Sequence, residues 1–177
     1  MARCFWGTRM RLVWNAPTID TLTMDQIPVY VKAGAFIPMA KKGLQSTAQY
    51  RADEVEIHFY YDPSVEKSAG KWFEDDGLTF QDFTADGACY SLYEFEYQKK
   101  HGNLGEVSVD VISPYCKPFN HDVTLVIHNV AHLPKVHGRK NAKMFGSSYQ
   151  ERYDPSTNTL RLPYGLTTDN RLKIKFK

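Results

Sequence analysis

Cysteine is scarce in this chain: Cys4, Cys89 and Cys116 are the only three among 177 residues. An odd number so widely spaced does not describe a disulfide-built scaffold. Glycine and proline are modest, at eleven and nine, which excludes collagenous and low-complexity classes. No apolar run approaches the roughly 18–20 residues of a membrane-spanning helix. Charge of one sign is missing too. The 22 Lys and Arg are nearly cancelled by 20 Asp and Glu, leaving +2, whereas a nucleic-acid-binding domain usually has a pI above about 9. With 42% hydrophobic residues, the same balance excludes disorder. A globular chain remains, long enough for one good core or two small ones. Aromatics are the surplus. Ten Phe, eleven Tyr and three Trp favour strands over helices.

Residues 1–14 carry Arg3, Arg9 and Arg11 but no apolar stretch of roughly 7–15 residues and no small-residue cleavage site. They do not read as a signal peptide. No N-x-[ST] sequon occurs, and the compartment stays open.

The hydrophobic period is two along most of the chain. Ile27, Val29 and Val31 alternate with Pro28, Tyr30 and Lys32 until Ala33 and Gly34 break the run. Val55, Ile57, Phe59 and Tyr61 alternate with Glu54, Glu56, His58 and Tyr60, and Asp62-Pro63-Ser64 ends that stretch. Val107, Val109 and Val111 repeat the pattern, as do Leu172, Ile174 and Phe176. Each predicts a strand with one wet face. Residues 123–127 are apolar on both faces and predict a central strand. The best helical candidate is residues 90–100, yet Tyr93, Phe95 and Tyr97 alternate there as a strand would. Turn chemistry separates the runs at short intervals, the signature of an antiparallel β-sandwich or barrel. Residues 61–70 are polar and turn-rich, either a domain linker or a long hairpin loop.

Several chemistries are missing. There is no G-x-S-x-G elbow, phosphate-binding glycine loop, dinucleotide fingerprint or C-x-x-C pair. His128 and His132 are four apart, with His137 beyond, but a general-base Glu is lacking and they fall at a strand end. Solvated strand-edge histidines outweigh a metal site. Residues 135–143 hold Lys135, His137, Arg139, Lys140 and Lys143. That is a candidate phosphate-contacting patch, but the segment centres on a glycine without regular aromatic interleaving, and a charged hairpin tip explains it more simply.

The acidic run Glu74, Asp75, Asp76 and Gly77 is the most distinctive local feature. Three carboxylates suit a hard cation such as calcium, yet a calcium loop spaces its acids at alternate positions and these are consecutive. A tight turn is the stronger reading, with the aspartates accepting local backbone hydrogen bonds and Gly77 at positive φ. No other cofactor is expected.

Two segments taken together carry a resemblance. Ala16-Pro17 followed by Asp25-Gln26-Ile27-Pro28-Val29-Tyr30-Val31-Lys32-Ala33-Gly34-Ala35-Phe36-Ile37-Pro38-Met39 resembles the segment just after the catalytic barrel of glycoside hydrolase family 31. Trp72-Phe73-Glu74-Asp75-Asp76-Gly77-Leu78-Thr79 is similar to that family's L-Y-E-D-D-G-x-T turn, and Ala85-Asp86-Gly87-Ala88-Cys89-Tyr90 to the strand start that follows. Residues 123–129, 134–138 and 153–176 resemble its closing strands. The likeness runs from about Ala16 to the end.

The resemblance implies a fold, a role and partners. In that family a (β/α)8 barrel is followed by a proximal and a distal C-terminal β-sandwich. Residues 1–64 would be the proximal region and 65–177 the distal sandwich, giving an all-β chain of two packed sandwich units. Hydrolysis with retention needs two carboxyl groups about 5–5.5 Å apart. In the family both are barrel aspartates, one in a W-x-D-M motif that this chain lacks. A barrel takes about 250 residues by itself. No catalytic residue carries over, and no metal ligand is assigned. The implied role is a non-catalytic region of an α-glucosidase- or α-xylosidase-like parent, buttressing its barrel.

A stand-alone carbohydrate-binding module is the alternative, with Trp72, Tyr60 and Tyr30 as platform candidates and Trp6 and Trp14 beside them. Against it, most aromatics are expected to fill the cores. Without a barrel, Phe5, Trp6, Val13, Trp14 and Phe36 would include uncovered groups, from which a homodimer through the N-terminal third is expected. Neither nucleic acid nor membrane is an expected partner.

Overall fold

The computed structural model describes residues 2–6, 9–13, 29–40, 43–75, 89–113, 119, 121–138, 152–167 and 170–176. Among them β1 (Ala2–Trp6), β2 (Arg9–Val13) and β3 (Val29–Lys32) form a small antiparallel sheet in the order β2-β1-β3. Two five-stranded sheets hold the rest. The first contains β4 (Phe36–Met39), β5 (Glu56–Tyr60), β9 (His121–His128), β11 (Arg152–Asp154) and β12 (Thr159–Leu166), ordered β11-β12-β9-β5-β4. The second contains β6 (Lys67–Asp75), β7 (Tyr90–Lys99), β8 (Leu104–Ile112), β10 (Lys135–His137) and β13 (Asn170–Lys175), ordered β10-β13-β8-β7-β6. Short 3₁₀ turns at Thr47–Gln49 and Ala52–Glu54 join β4 to β5. No α-helix occurs among the described residues.

The period-two runs become strands for the expected reason. Alternate side chains of a pleated strand face opposite ways, and here one set of each meets the opposite sheet. Ile57 and Phe59, Val123, Leu125 and Ile127, and Leu160 and Leu162 line the first sheet's inner face. Tyr93, Phe95 and Tyr97 answer from β7, Val107 and Val109 from β8, and Leu172 and Ile174 from β13. Residues 90–99 therefore settle as strand, because the alternating rings have a facing sheet to fill. An aromatic seam joins the layers. Phe36 stacks on Phe59 with centroids 4.5 Å apart and on Phe95 at 5.6 Å, and Phe59 meets Tyr97 at 5.0 Å. Phe36 is thus a core ring, which corrects its expected place among uncovered groups. Phe5, Trp6 and Val13 have no described side chains, and Trp14 lies outside the described residues.

Glycine matters at two points. Gly34 takes φ +82°, turns the chain from β3 into β4, and donates its N–H to the Tyr60 carbonyl at 2.7 Å. Gly70 on edge strand β6 faces Phe36 so closely that a Cβ would lie 2.6 Å from the Phe36 Cβ.

Strand pairing runs across residue 64. β4 and β5 are bonded into the same sheet as β9 and β12, so residues 36–60 supply two of the five strands of one sheet of the sandwich that residues 67–176 complete. The described strands form one sandwich and one three-stranded sheet. Residues 61–66 form the crossover between the two layers. Asp62 Oδ1 shapes it by accepting hydrogen bonds from the Ser64 N–H at 2.8 Å and the Ser64 hydroxyl at 2.6 Å. β5 and β9 run parallel, alone among the paired strands described. A parallel pair needs a long crossover, and β6, β7 and β8 in the opposite sheet supply it.

Candidate functional site

β6 brings Glu74 and Asp75 to one end of the sandwich. Its inward positions are Ser68, Gly70, Trp72 and Glu74, while Phe73 and Asp75 stand on the outer face. Trp72 lies opposite Tyr93 on β7 and stacks on it at 4.9 Å. The Tyr93 hydroxyl shares its proton between Glu74 Oε2, 2.9 Å away, and the Phe119 carbonyl oxygen. His121, first in β9, sets its Nε2 at 2.8 Å and 3.0 Å from the two Glu74 oxygens. The Phe119 N–H donates to Ser91 Oγ at 3.0 Å. Glu74 and His121 side chains are only 14% and 19% exposed. Burial raises the Tyr93 phenol pKa, and the adjacent Glu74 carboxylate raises it further, so Tyr93 stays a donor.

This cluster pins β9 of one sheet to β6 and β7 of the other. Both Glu74 oxygens already accept from donors, and Asp75 projects from the opposite face of β6. The two carboxylates neither converge on a cation nor face each other across a cleft as glycoside hydrolysis requires. Asp76 and Gly77 lie outside the described residues.

A second polar chain crosses the outer face of the first sheet. Arg161 on β12 reaches Glu56 Oε1 at 2.5 Å, and Glu56 Oε2 lies 3.2 Å from His58 Nε2. His58 Nδ1 lies 2.8 Å from His128 Nε2, and Tyr60 stacks on the His128 ring at 4.5 Å. Burial drives His128 down to about 4, with the His58 charge adding to the effect. Burial alone would raise Glu56, but Arg161 and His58 outweigh it and hold the carboxyl below its ordinary value. Two imidazole nitrogens at this distance share one proton and cannot both carry one. His128 is therefore a buried residue at the end of β9, not the solvated edge histidine its flanking sequence predicts. No local signal marks the pair, because 70 residues separate its members.

The aromatic platform candidates do not share a plane. Tyr30 is 46% exposed on β3 in the three-stranded sheet. Tyr60 is 3% exposed beneath His128, so it presents no ring to solvent. Trp72 is half-buried at the sandwich end, and its indole is hydrogen-bonded to the Tyr50 hydroxyl. A different exposed group stands on the outer face of the second sheet. Phe73, Leu92 and Ile112 lie side by side across β6, β7 and β8, with Phe73 tilted against Tyr90 at 5.4 Å. Phe73 and Ile112 were hidden within turn and strand patterns, and only the register unites them.

No protein-family model matches the sequence, and no curated protein matches it. Known structures do match the fold. A glycoside hydrolase family 31 dextranase from Flavobacterium johnsoniae, solved with glucose, is similar at TM-score 0.66 and 16% identity. The similarity covers 98% of this chain and 23% of the dextranase chain. At that identity the likeness concerns the fold, and this chain spans about a quarter of its neighbour's length.

Proposed function

We propose that this chain acts as a non-catalytic C-terminal β-sandwich region of a family 31 type glycoside hydrolase of carbohydrate metabolism. One observation carries the reading: the fold match takes in nearly all of this chain and under a quarter of the dextranase. The order of the Asp25 to Met39 and Trp72 to Thr79 segments supports it from the sequence side. In this reading the region buttresses the catalytic barrel and helps shape the rim of the substrate cleft. The barrel is its first partner, and the parent's carbohydrate a second through that cleft. The parent is a retaining α-glycosidase of α-glucosidase or α-xylosidase type. In this reading Glu74 is structural, accepting from Tyr93 and His121.

The test is hydrolysis of aryl α-glucosides and α-xylosides at high concentration of purified chain. No turnover is expected. A rate that follows the protein peak and disappears on mutating one of its own carboxylates overturns the reading.

A further inference from the structure

Edge strand β6 leaves half of its backbone unused. The Glu66 carbonyl accepts a hydrogen bond from the Lys99 N–H at 2.8 Å, and the register with β7 then runs unbroken to Asp75 and Tyr90. Bonded and non-bonded positions alternate along an antiparallel pair. Ser68, Gly70, Trp72 and Glu74 therefore direct their N–H and C=O groups to β7, and the odd-numbered residues turn theirs to the free side. At Lys67, Ala69 and Lys71 these outward groups have no partner among the described residues.

A sheet edge is ordinarily blunted by shortness, proline, a bulge or charge. β10 and β11 have three residues each, and Pro38 interrupts the four-residue β4. β6 has nine residues, no proline and no bulge. Lysine is a usual guard, but here each one is drawn back toward β7, Lys67 by Glu96 at 2.6 Å and Lys71 by Glu94 at 2.5 Å. Room for a further strand's side chains lies alongside. A cleft of about 710 Å³ opens between the β3–β4 turn, Lys32 to Phe36, and the run from Ser64 to Ala69. Ser68 lines it from β6, and its Oγ is buried without a hydrogen-bond partner among the described residues.

We propose that the free edge of β6 is a strand-addition site, taking an extended segment of another polypeptide as a sixth strand on the five-stranded second sheet. The ladder itself selects the class of partner. A donor and an acceptor recur together at every second residue, about 6.5–7 Å apart, a repeat that an extended peptide backbone answers and a glycan or nucleic-acid backbone does not. Alternate side chains of the added strand point inward beside those of β6. The one opposite Ser68 enters the cleft, where a hydroxyl or amide meets the unpartnered Oγ. On the outer face, an acidic residue opposite Lys71 completes a row of Glu94, Lys71 and acid across three strands. A second copy of β6 fits less well. Paired antiparallel over all nine residues, it sets Lys71 against its own counterpart, and like charges directly opposite destabilise a sheet.

The probe is a synthetic peptide with the sequence of residues 90–99, the strand that already matches β6 and sets Glu94 opposite Lys71. Fluorescence anisotropy of the labelled peptide with the full chain measures binding, and amide hydrogen exchange locates it. Saturable binding is expected, with the Lys67, Ala69 and Lys71 amides exchanging about tenfold or more slowly in the complex. The Ser68 and Gly70 amides, already bonded to β7, should hardly change. Ala69→Pro removes one outward donor and spares the β7 ladder. It is expected to weaken binding about tenfold or more with little change in melting temperature. Should that variant misfold, the exchange pattern of the unaltered chain decides alone. No binding, or binding that slows none of the three outward amides, overturns the site, as does unchanged affinity in a folded Ala69→Pro chain. Slowing of the same amides without peptide, as protein concentration rises, makes a second copy the occupant and overturns the assignment to another polypeptide.

Discussion

His121 and Glu74 join the two sheets of the sandwich, Nε2 standing 2.8 Å from Oε2 and 3.0 Å from Oε1. The contact spans 47 residues of sequence and closes the end of the core over Tyr93 and Trp72. It makes Glu74 an inter-sheet fastening, and the consequence is measurable.

Glu74→Ala should destabilise the chain by about 2 kcal/mol, because it strands the His121 and Tyr93 donors in a largely enclosed place. Glu74→Gln keeps one acceptor oxygen and should lose less. Asp75→Asn, on the exposed side of the same strand, should stay within about 0.5 kcal/mol. Urea unfolding at pH 7 compares the three. A calcium-dependent rise in melting temperature that Asp75→Asn abolishes would restore the cation reading.

The histidine pair predicts acid sensitivity. His128 is held near 4 in the folded chain, mainly by burial, against an ordinary value of about 6.5 when unfolded. The unfolded chain therefore binds the extra proton first as pH falls. Stability is complete above about pH 6.5 and declines toward pH 4, by an amount on the order of 3 kcal/mol. The shift belongs to the coupled pair with His58. Urea midpoints at pH 7, 5.5 and 4.5 should fall steadily, and His128→Gln should flatten the slope.

Gly70→Ala should cost about 1–3 kcal/mol through overpacking. Its new Cβ would meet the Phe36 Cβ at 2.6 Å, an atom anchored to a neighbouring strand and unable to swing aside. A Phe36→Leu background keeps that Cβ and should leave the effect of the glycine change in place, whereas Phe36→Gly removes the clashing atom and should reduce it. Thermal melts of the double-mutant cycle measure that coupling.

Cys89 is half of a disulfide, which the odd cysteine count did not foretell. If the bond closes within the chain, one of three thiols remains free, and a thiol assay in denaturant should find one. Reduction should destabilise the fold by about 2–4 kcal/mol.

Self-association is expected to centre on the three-stranded sheet, whose outer strands β2 and β3 each keep one edge unpaired among the described residues. Sedimentation velocity across a hundredfold concentration range checks this. A single monomeric species throughout would refute it.

The sequence by itself determined the strands, because alternation is a local property. Val107, Val109 and Val111 can bury one face only when extended, and so can Leu172, Ile174 and Phe176. The all-β class and most turns follow from that. Partnership across the fold required the tertiary structure. Nothing near Glu56 or Val123 announces that their strands run side by side in parallel, since the crossover between them passes through the other sheet. The same holds for function-bearing groups. Glu74 looked like one of three equivalent turn acids until pleating turned it inward to His121 and left Asp75 outside. Tyr60 looked like a wet-face ring until His128 arrived from 68 positions away to cover it. Local sequence dictates which way a side chain can point, and only the folded chain decides what it meets there.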